Sequence, residues 1–145
     1  MLLLTIAHKG EAQELIKRSY TQPADFHFEG IYRDGEDILL LTGDGIENSI
    51  LRVSSVLTYF GSKIERVLNM GIAGELDNSL QINQIYGIRR VYHELYHDKE
   101  ALILSCKETH SKMDCVSALM PVADDVYENS LEKIAPIVER EMWGI

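Results

Sequence analysis

The run Leu2-Leu3-Leu4-Thr5-Ile6-Ala7 is apolar at nearly every position. A strand wetted on one face alternates apolar and polar side chains, so a strand without alternation needs cover on both faces. The same reading applies to "DILLLT" from Asp37 to Thr42, to Val67–Met70, and to the apolar runs Ala101–Cys106 and Cys115–Met120. Segments of helical spacing lie between them. Ala12, Leu15, Ile16 and Tyr20 share one face within "EAQELIKRSY", and Ile46, Ile50, Val53, Leu57 and Phe60 step by three and four before Gly61, a residue suited to a helix C-terminus. Val126–Ile134 predicts a short helix. Phe26–Tyr32 alternates and, across the turn "RDGED", predicts a hairpin with Asp37–Thr42. Ile82–Tyr92 is β-rich, Pro136–Val138 predicts a short strand, and another helix is expected from about Arg140. Buried strands alternating with helices predict an α/β fold, a three-layer αβα arrangement around a central mixed sheet. With 145 residues and no repeat or linker, one domain spanning 1–145 is expected.

Fourteen basic against 23 acidic residues leave a net charge of −9. Such a surface repels phosphate backbones and argues against nucleic acid as a partner. No apolar stretch approaches the ~18 residues of a membrane span. The N-terminal run has no basic flank and turns polar at His8, which reads as a first strand and not as a signal peptide. Two cysteines, Cys106 and Cys115, do not make a disulfide framework. A cytoplasmic location is expected.

The tract His93-Glu94-Leu95-Tyr96-His97 spells the H-E-x-x-H zinc pattern. Zinc would require both histidines on one helical face, with Glu94 activating water and a third ligand such as His110. The preceding residues, Ile88–Tyr92, read as a strand ending at His93, and on a strand His93 and Glu94 point to opposite faces. No metal site is expected. Two glycine stretches follow buried strands, "TGDGIENS" (Thr42–Ser49) and "NMGIAGELD" (Asn69–Asp77). Glycines there let backbone N–H groups approach a ligand, although each one alone also serves as a tight turn. Neither stretch is a dinucleotide fingerprint or a phosphate-binding loop, and no cofactor is expected. Glu11, just past the first strand, and Glu141, just past the last, occupy the end of an open α/β sheet where ligand crevices lie. A carboxylate at a helix start also complements the helix dipole.

Taken in order, these pieces resemble the nucleoside phosphorylase and nucleosidase superfamily. The resemblance is carried by Asn69, Gly71, Ala73, Gly74 and Leu76, then Leu80 and Ile82, then the strand ending Tyr92-His93-Glu94. Gly43, Gly45 and Asn48 upstream and "IVEREMWGI" at the end are similar to further family segments. The resemblance implies cleavage of a nucleoside N-glycosidic bond without a metal. It implies Glu11 as the water-activating carboxylate, Glu141 on the ribose hydroxyls, and Gly43, Gly71, Ile72 and Ala73 lining the substrate. A small-molecule nucleoside and a homo-oligomer, a dimer first, are the implied partners. Asn69 stands where phosphate-gripping members carry arginine, which favours hydrolysis over phosphorolysis.

The sequence also departs from the pattern. Ile72 replaces a serine or threonine, Arg140 replaces a methionine, and Pro121 stands where a base-stacking phenylalanine is usual. The family's last strand and helix, with the aspartate that protonates the leaving base, are not among these residues. Slow or absent hydrolysis is therefore expected of the 145-residue chain. The competing reading is a degenerate relative that binds a ligand or partner without turnover.

Overall fold

The structure, a computed structural model, describes residues 1–81, 83–104 and 112–140. The described residues fall into two units, 1–72 and 73–140, each with its own sheet.

In the first unit, strand β1 (Leu2–Ile6) leads into helix α1 (Lys9–Arg18). Strands β2 (Gln22–Pro23), β3 (Ile31–Asp34) and β4 (Asp37–Leu41) precede helix α2 (Ile46–Phe60), a short 3-10 turn and strand β5 (Arg66–Asn69). The sheet order is β2-β3-β4-β1-β5, with β1 parallel to both β4 and β5 and the β2–β3–β4 edge antiparallel. Successive side chains of β1 point to opposite faces. Leu3 packs with Ile38, Leu40, Val53, Val56 and Phe60, on the α2 side. Leu4 and Ile6 pack with Leu39, Ala12 and Tyr20, on the α1 side. The unbroken apolar run of β1 is thus explained, and this unit is a three-layer αβα sandwich.

Two local readings of the sequence are corrected here. The strand expected over Phe26–Tyr32 is confined to Ile31–Asp34. Phe26 and Phe28 instead enter an aromatic cluster, with Phe26 edge-on to Phe28 at 4.9 Å and to Tyr59 at 5.0 Å. Arg52 lies over the Phe28 ring and donates to the Glu29 and Leu41 carbonyls. Helix α2 runs from Gly45 (φ 84°) to Gly61 (φ 53°) as the sequence indicates, but its buried face is Ser49, Val53, Val56 and Phe60. Ile50 and Leu57 are exposed. The small Ser49 lets the helix seat on that row, so the larger neighbouring row turns outward.

The second unit contains β6 (Gly74–Glu75), β7 (Gly87–His93), β8 (Ala101–Ile103), β9 (Lys112–Ser117), helix α3 (Asp125–Glu132) and β10 (Ile137–Glu139). Its sheet order is β6-β10-β9-β7-β8, with β9 parallel to β7 and β10 and both edge strands antiparallel. Asp124 caps α3 by accepting from the Tyr127 N–H at 2.8 Å. Leu131 of α3, fully buried, packs on Val116, Val138, Ala118 and Leu76. The edge strand β6 lies close to β10: a Cβ at Gly74 would stand 3.0 Å from Val138 Cγ1. Strand β9 covers Lys112–Ser117 and not the expected Cys115–Met120. Arg89 pairs with Asp114 at 2.6 Å, which draws the polar start of β9 into the sheet. Together the units make a mixed α/β fold of two mixed sheets and three α-helices among the described residues. None of these helices is long and apolar enough to cross a membrane.

Candidate functional site

In the first unit the parallel strands β4, β1 and β5 all end on one side of the sheet, where open α/β sheets hold ligands. Thr5, fully buried near the end of β1, donates its hydroxyl to Asn69 Oδ1 at 2.9 Å. The neutral Asn69 side chain is therefore turned to its neighbouring strand. Beyond β1, the Ala7 carbonyl accepts from the Gly43 N–H at 3.0 Å, and His8 Nε2 meets Asp44 Oδ1 at 2.7 Å. These contacts tie the β1–α1 loop to the β4–α2 loop. Gly43 has φ 76° and Gly45 φ 84°, a region that favours glycine, so the loop can turn sharply into the helix.

Glu11 sits in the first turn of α1, where its charge suits the helix dipole. Its Oε1 accepts from the backbone N–H of Ile72 at 3.3 Å. Its Oε2 is buried and has no hydrogen-bond partner among the described residues. The nearest group to a Cβ built on Gly71 would be that same oxygen, at 3.7 Å. Glycine therefore keeps space open beside an unpaired carboxylate oxygen. Such an oxygen is costly to bury, so a native structure that retains one invites an explanation in chemistry.

The structure thus brings Glu11, Gly71 and Ile72 together and places Gly43 on the adjoining loop. The Ile72 side chain is 82% exposed, so only its backbone serves the carboxylate. Ala73 is exposed just ahead of β6 and belongs to the second unit. Glu141, Cys106 and His110 lie outside the described residues, as does the helix expected beyond Arg140.

In the second unit the H-E-x-x-H tract is a strand end followed by a turn. His93 is the last residue of β7, and turn hydrogen bonds run from Tyr96 N–H to the His93 carbonyl and from Lys99 N–H to the Tyr96 carbonyl. No helical face carries His93 and His97 together. Glu94 Oε2 accepts from the Leu119 N–H at 2.8 Å and from the Tyr127 hydroxyl at 2.7 Å. Burial first, and then the hydrogen bond to that carboxylate, hold the Tyr127 phenol above its ordinary pKa. The Ser117 hydroxyl donates to Glu139 Oε1. Sequence reasoning missed this pair, because only the strand register brings the two residues side by side.

No protein-family model matches the sequence, and no curated protein sequence matches it significantly. Solved structures do. A futalosine hydrolase mutant of Helicobacter pylori aligns over 97% of this chain and 79% of its own, with TM-score 0.74 and 16% identity. A 5'-methylthioadenosine/S-adenosylhomocysteine nucleosidase from S. pneumoniae, solved with a transition-state inhibitor, aligns over 99% and 76%, with TM-score 0.79 and 14% identity. The corresponding nucleosidase from Colwellia psychrerythraea, in complex with adenine, aligns over 99% and 73%, with TM-score 0.80 and 13% identity. The chain has the fold of these nucleosidases and of futalosine hydrolase.

Proposed function

We propose that the protein cleaves the N-glycosidic bond of a purine nucleoside by hydrolysis, with Glu11 as the water-activating carboxylate, in the cytoplasm and as a homodimer. The observation that carries this reading is the Glu11 carboxylate: one oxygen held by Ile72 N–H, the other buried beside Gly71 and without a partner among the described residues. Its support is the nucleosidase fold.

Departure of a purine leaves an oxocarbenium-like sugar, so catalysis requires negative charge near the anomeric carbon and a water made nucleophilic as that charge develops. A fixed carboxylate with one free oxygen serves both needs. It accepts the water's proton at Oε2 while Oε1 keeps the side chain in place, and orientation of this kind removes much of the entropic barrier. The same charge repels phosphate, and neutral Asn69, tied to Thr5, offers it no cationic grip. Hydrolysis is favoured over phosphorolysis on both counts. Gly43, Gly71, Ile72 and Ala73 would line the nucleoside, and Glu141 would hold the ribose hydroxyls.

Ile72 favours a second reading, a nucleoside-binding protein without turnover, because an isoleucine supplies no hydroxyl to orient sugar or water. Base release from methylthioadenosine, inosine and futalosine, measured with enzyme in excess over nucleoside, tests the first reading against the second. The first requires release that depends on Glu11; the second gives binding without release.

A further inference from the structure

Helix α2 buries one row of side chains and shows another. Ser49, Val53, Val56 and Phe60 are buried. On the outer side Leu51 and Tyr59 are each 67% exposed and Ile50 is 48% exposed. With Ser54, Ser55, Thr58 and His27 they line an open groove of about 490 Å³. Scattered apolar side chains on a surface are ordinary, but a contiguous stripe of them marks a contact surface.

The stripe is suited to dry packing. The Ser55 hydroxyl donates to the Leu51 carbonyl at 2.8 Å, and the Thr58 hydroxyl donates to the Ser54 carbonyl at 2.7 Å. Both protons are spent within the helix, so covering these residues strands no donor. From Asn48 to Gly61 the only charged residue is Arg52. Its guanidinium is held over the Phe28 ring and on the Glu29 and Leu41 carbonyls. Tyr59 stands edge-on to Phe26 at 5.0 Å, and a side chain braced in this way loses little freedom when it is covered.

Charge and symmetry identify the occupant. A chain of net charge −9 repels its own copy, and a stripe without carboxylates is where that repulsion is weakest. Antiparallel pairing of α2 with a second α2, on a two-fold axis between Ser54 and Ser55, sets small residues at the centre. Ile50 and Leu51 of each helix then meet Thr58 and Tyr59 of the other copy. In the same register the exposed Glu47, in the first turn of α2, comes opposite the turn Gly61–Lys63 with its exposed Lys63. Opposite charges thus flank the apolar stripe at both ends, which favours this register over others. We propose that the outer face of α2 is the isologous interface of a homodimer, with a second copy of this chain as its occupant. The proposal locates the homodimer of the preceding subsection and rests on that part of the reading alone.

Leu51→Glu tests it, because Leu51 is exposed and its replacement leaves the core intact. Sedimentation equilibrium of the wild type over a range of concentrations should show a monomer–dimer equilibrium. Leu51→Glu should raise the dissociation constant at least about 30-fold, the size expected of a residue central to an interface. Ser54→Cys, beside the axis, should give a disulfide-linked dimer on mild oxidation that the wild type, treated alike, does not form. This second variant decides the matter if Leu51→Glu does not fold. A wild type that stays monomeric overturns both this interface and the homodimer reading, and leaves the face to a different partner. A dimer that Leu51→Glu does not weaken, or that Ser54→Cys does not cross-link, overturns the interface alone. Neither measurement depends on base release, so the failure of the nucleosidase chemistry would be seen separately.

Discussion

Glu11 Oε1 takes its hydrogen bond from the backbone N–H of Ile72, 61 residues away in the sequence, while Oε2 lies buried without a partner among the described residues. Half of the carboxylate is structural, and half has no hydrogen-bond partner among the described residues. A buried acceptor left unpaired costs about 1–3 kcal/mol. Glu11→Gln keeps the Ile72 contact and removes the charge, so its Tm in thermal unfolding should equal or exceed that of the wild type. A clear fall in Tm would show that the carboxylate serves stability and not chemistry.

Gly71 separates packing from function at the same place. Among the described residues, a Cβ there would meet only Glu11 Oε2, at an ordinary 3.7 Å. Gly71→Ala should therefore fold with stability within about 1 kcal/mol of wild type. The methyl would occupy the space beside Oε2, and kcat/KM for base release should fall by at least about tenfold. Unchanged kinetics would mean that the reacting water does not use that space.

Gly74 behaves in the opposite way. Its added Cβ would stand 3.0 Å from Val138 Cγ1, so the buried valine side chain or one of the two strands would have to give by a few tenths of an ångström. Gly74→Ala should destabilise by about 1–3 kcal/mol, the usual cost of overpacking. Combining it with Val138→Ala should cost less than the sum of the two single changes, because the second removes the atom that clashes. Denaturant unfolding of the four proteins measures this, and strict additivity would contradict the close approach of the two strands.

Tyr127 supplies a pH dependence. Its folded-state pKa is raised, first by burial and then by its hydrogen bond to Glu94. The folded state thus holds the phenolic proton more tightly than the unfolded chain, whose value is about 10. The stabilisation is fully present below that value and is lost as pH rises through the higher folded value. Tyr20, raised by burial and then by Asp37 and Asp34, acts in the same direction. Tyr127→Phe should be less stable near neutrality, having lost the Glu94 contact, and should lose less stability above about pH 10 than wild type. Parallel pH–stability curves would contradict this.

The strands β1 and β4 were legible because burial on both faces leaves an uninterrupted apolar run. The strand end at His93 was legible because β-branched and basic residues precede it after Gly87. Phe26–Phe28 misled, since alternation there reflects an aromatic cluster assembled with Tyr59 and Phe60, partners that spacing alone does not reveal. The start of β9 was hidden because its polar residues are drawn into the sheet by Arg89 and Asp114. At the site, the sequence pointed to Glu11 by its place after the first strand. That Ile72 contributes its N–H and not its side chain, and that Ser117 meets Glu139, depends on tertiary contact and register.

The central claim is that Glu11 activates water for N-glycosidic hydrolysis. Its most direct test is base release from methylthioadenosine, inosine and futalosine with enzyme in excess, comparing wild type with Glu11→Gln. The expected result is release of free base from at least one nucleoside by the wild type, and a rate at least about 100-fold lower in a folded Glu11→Gln protein. Equal rates in the two proteins, or no release by the wild type from any of the three, would contradict it.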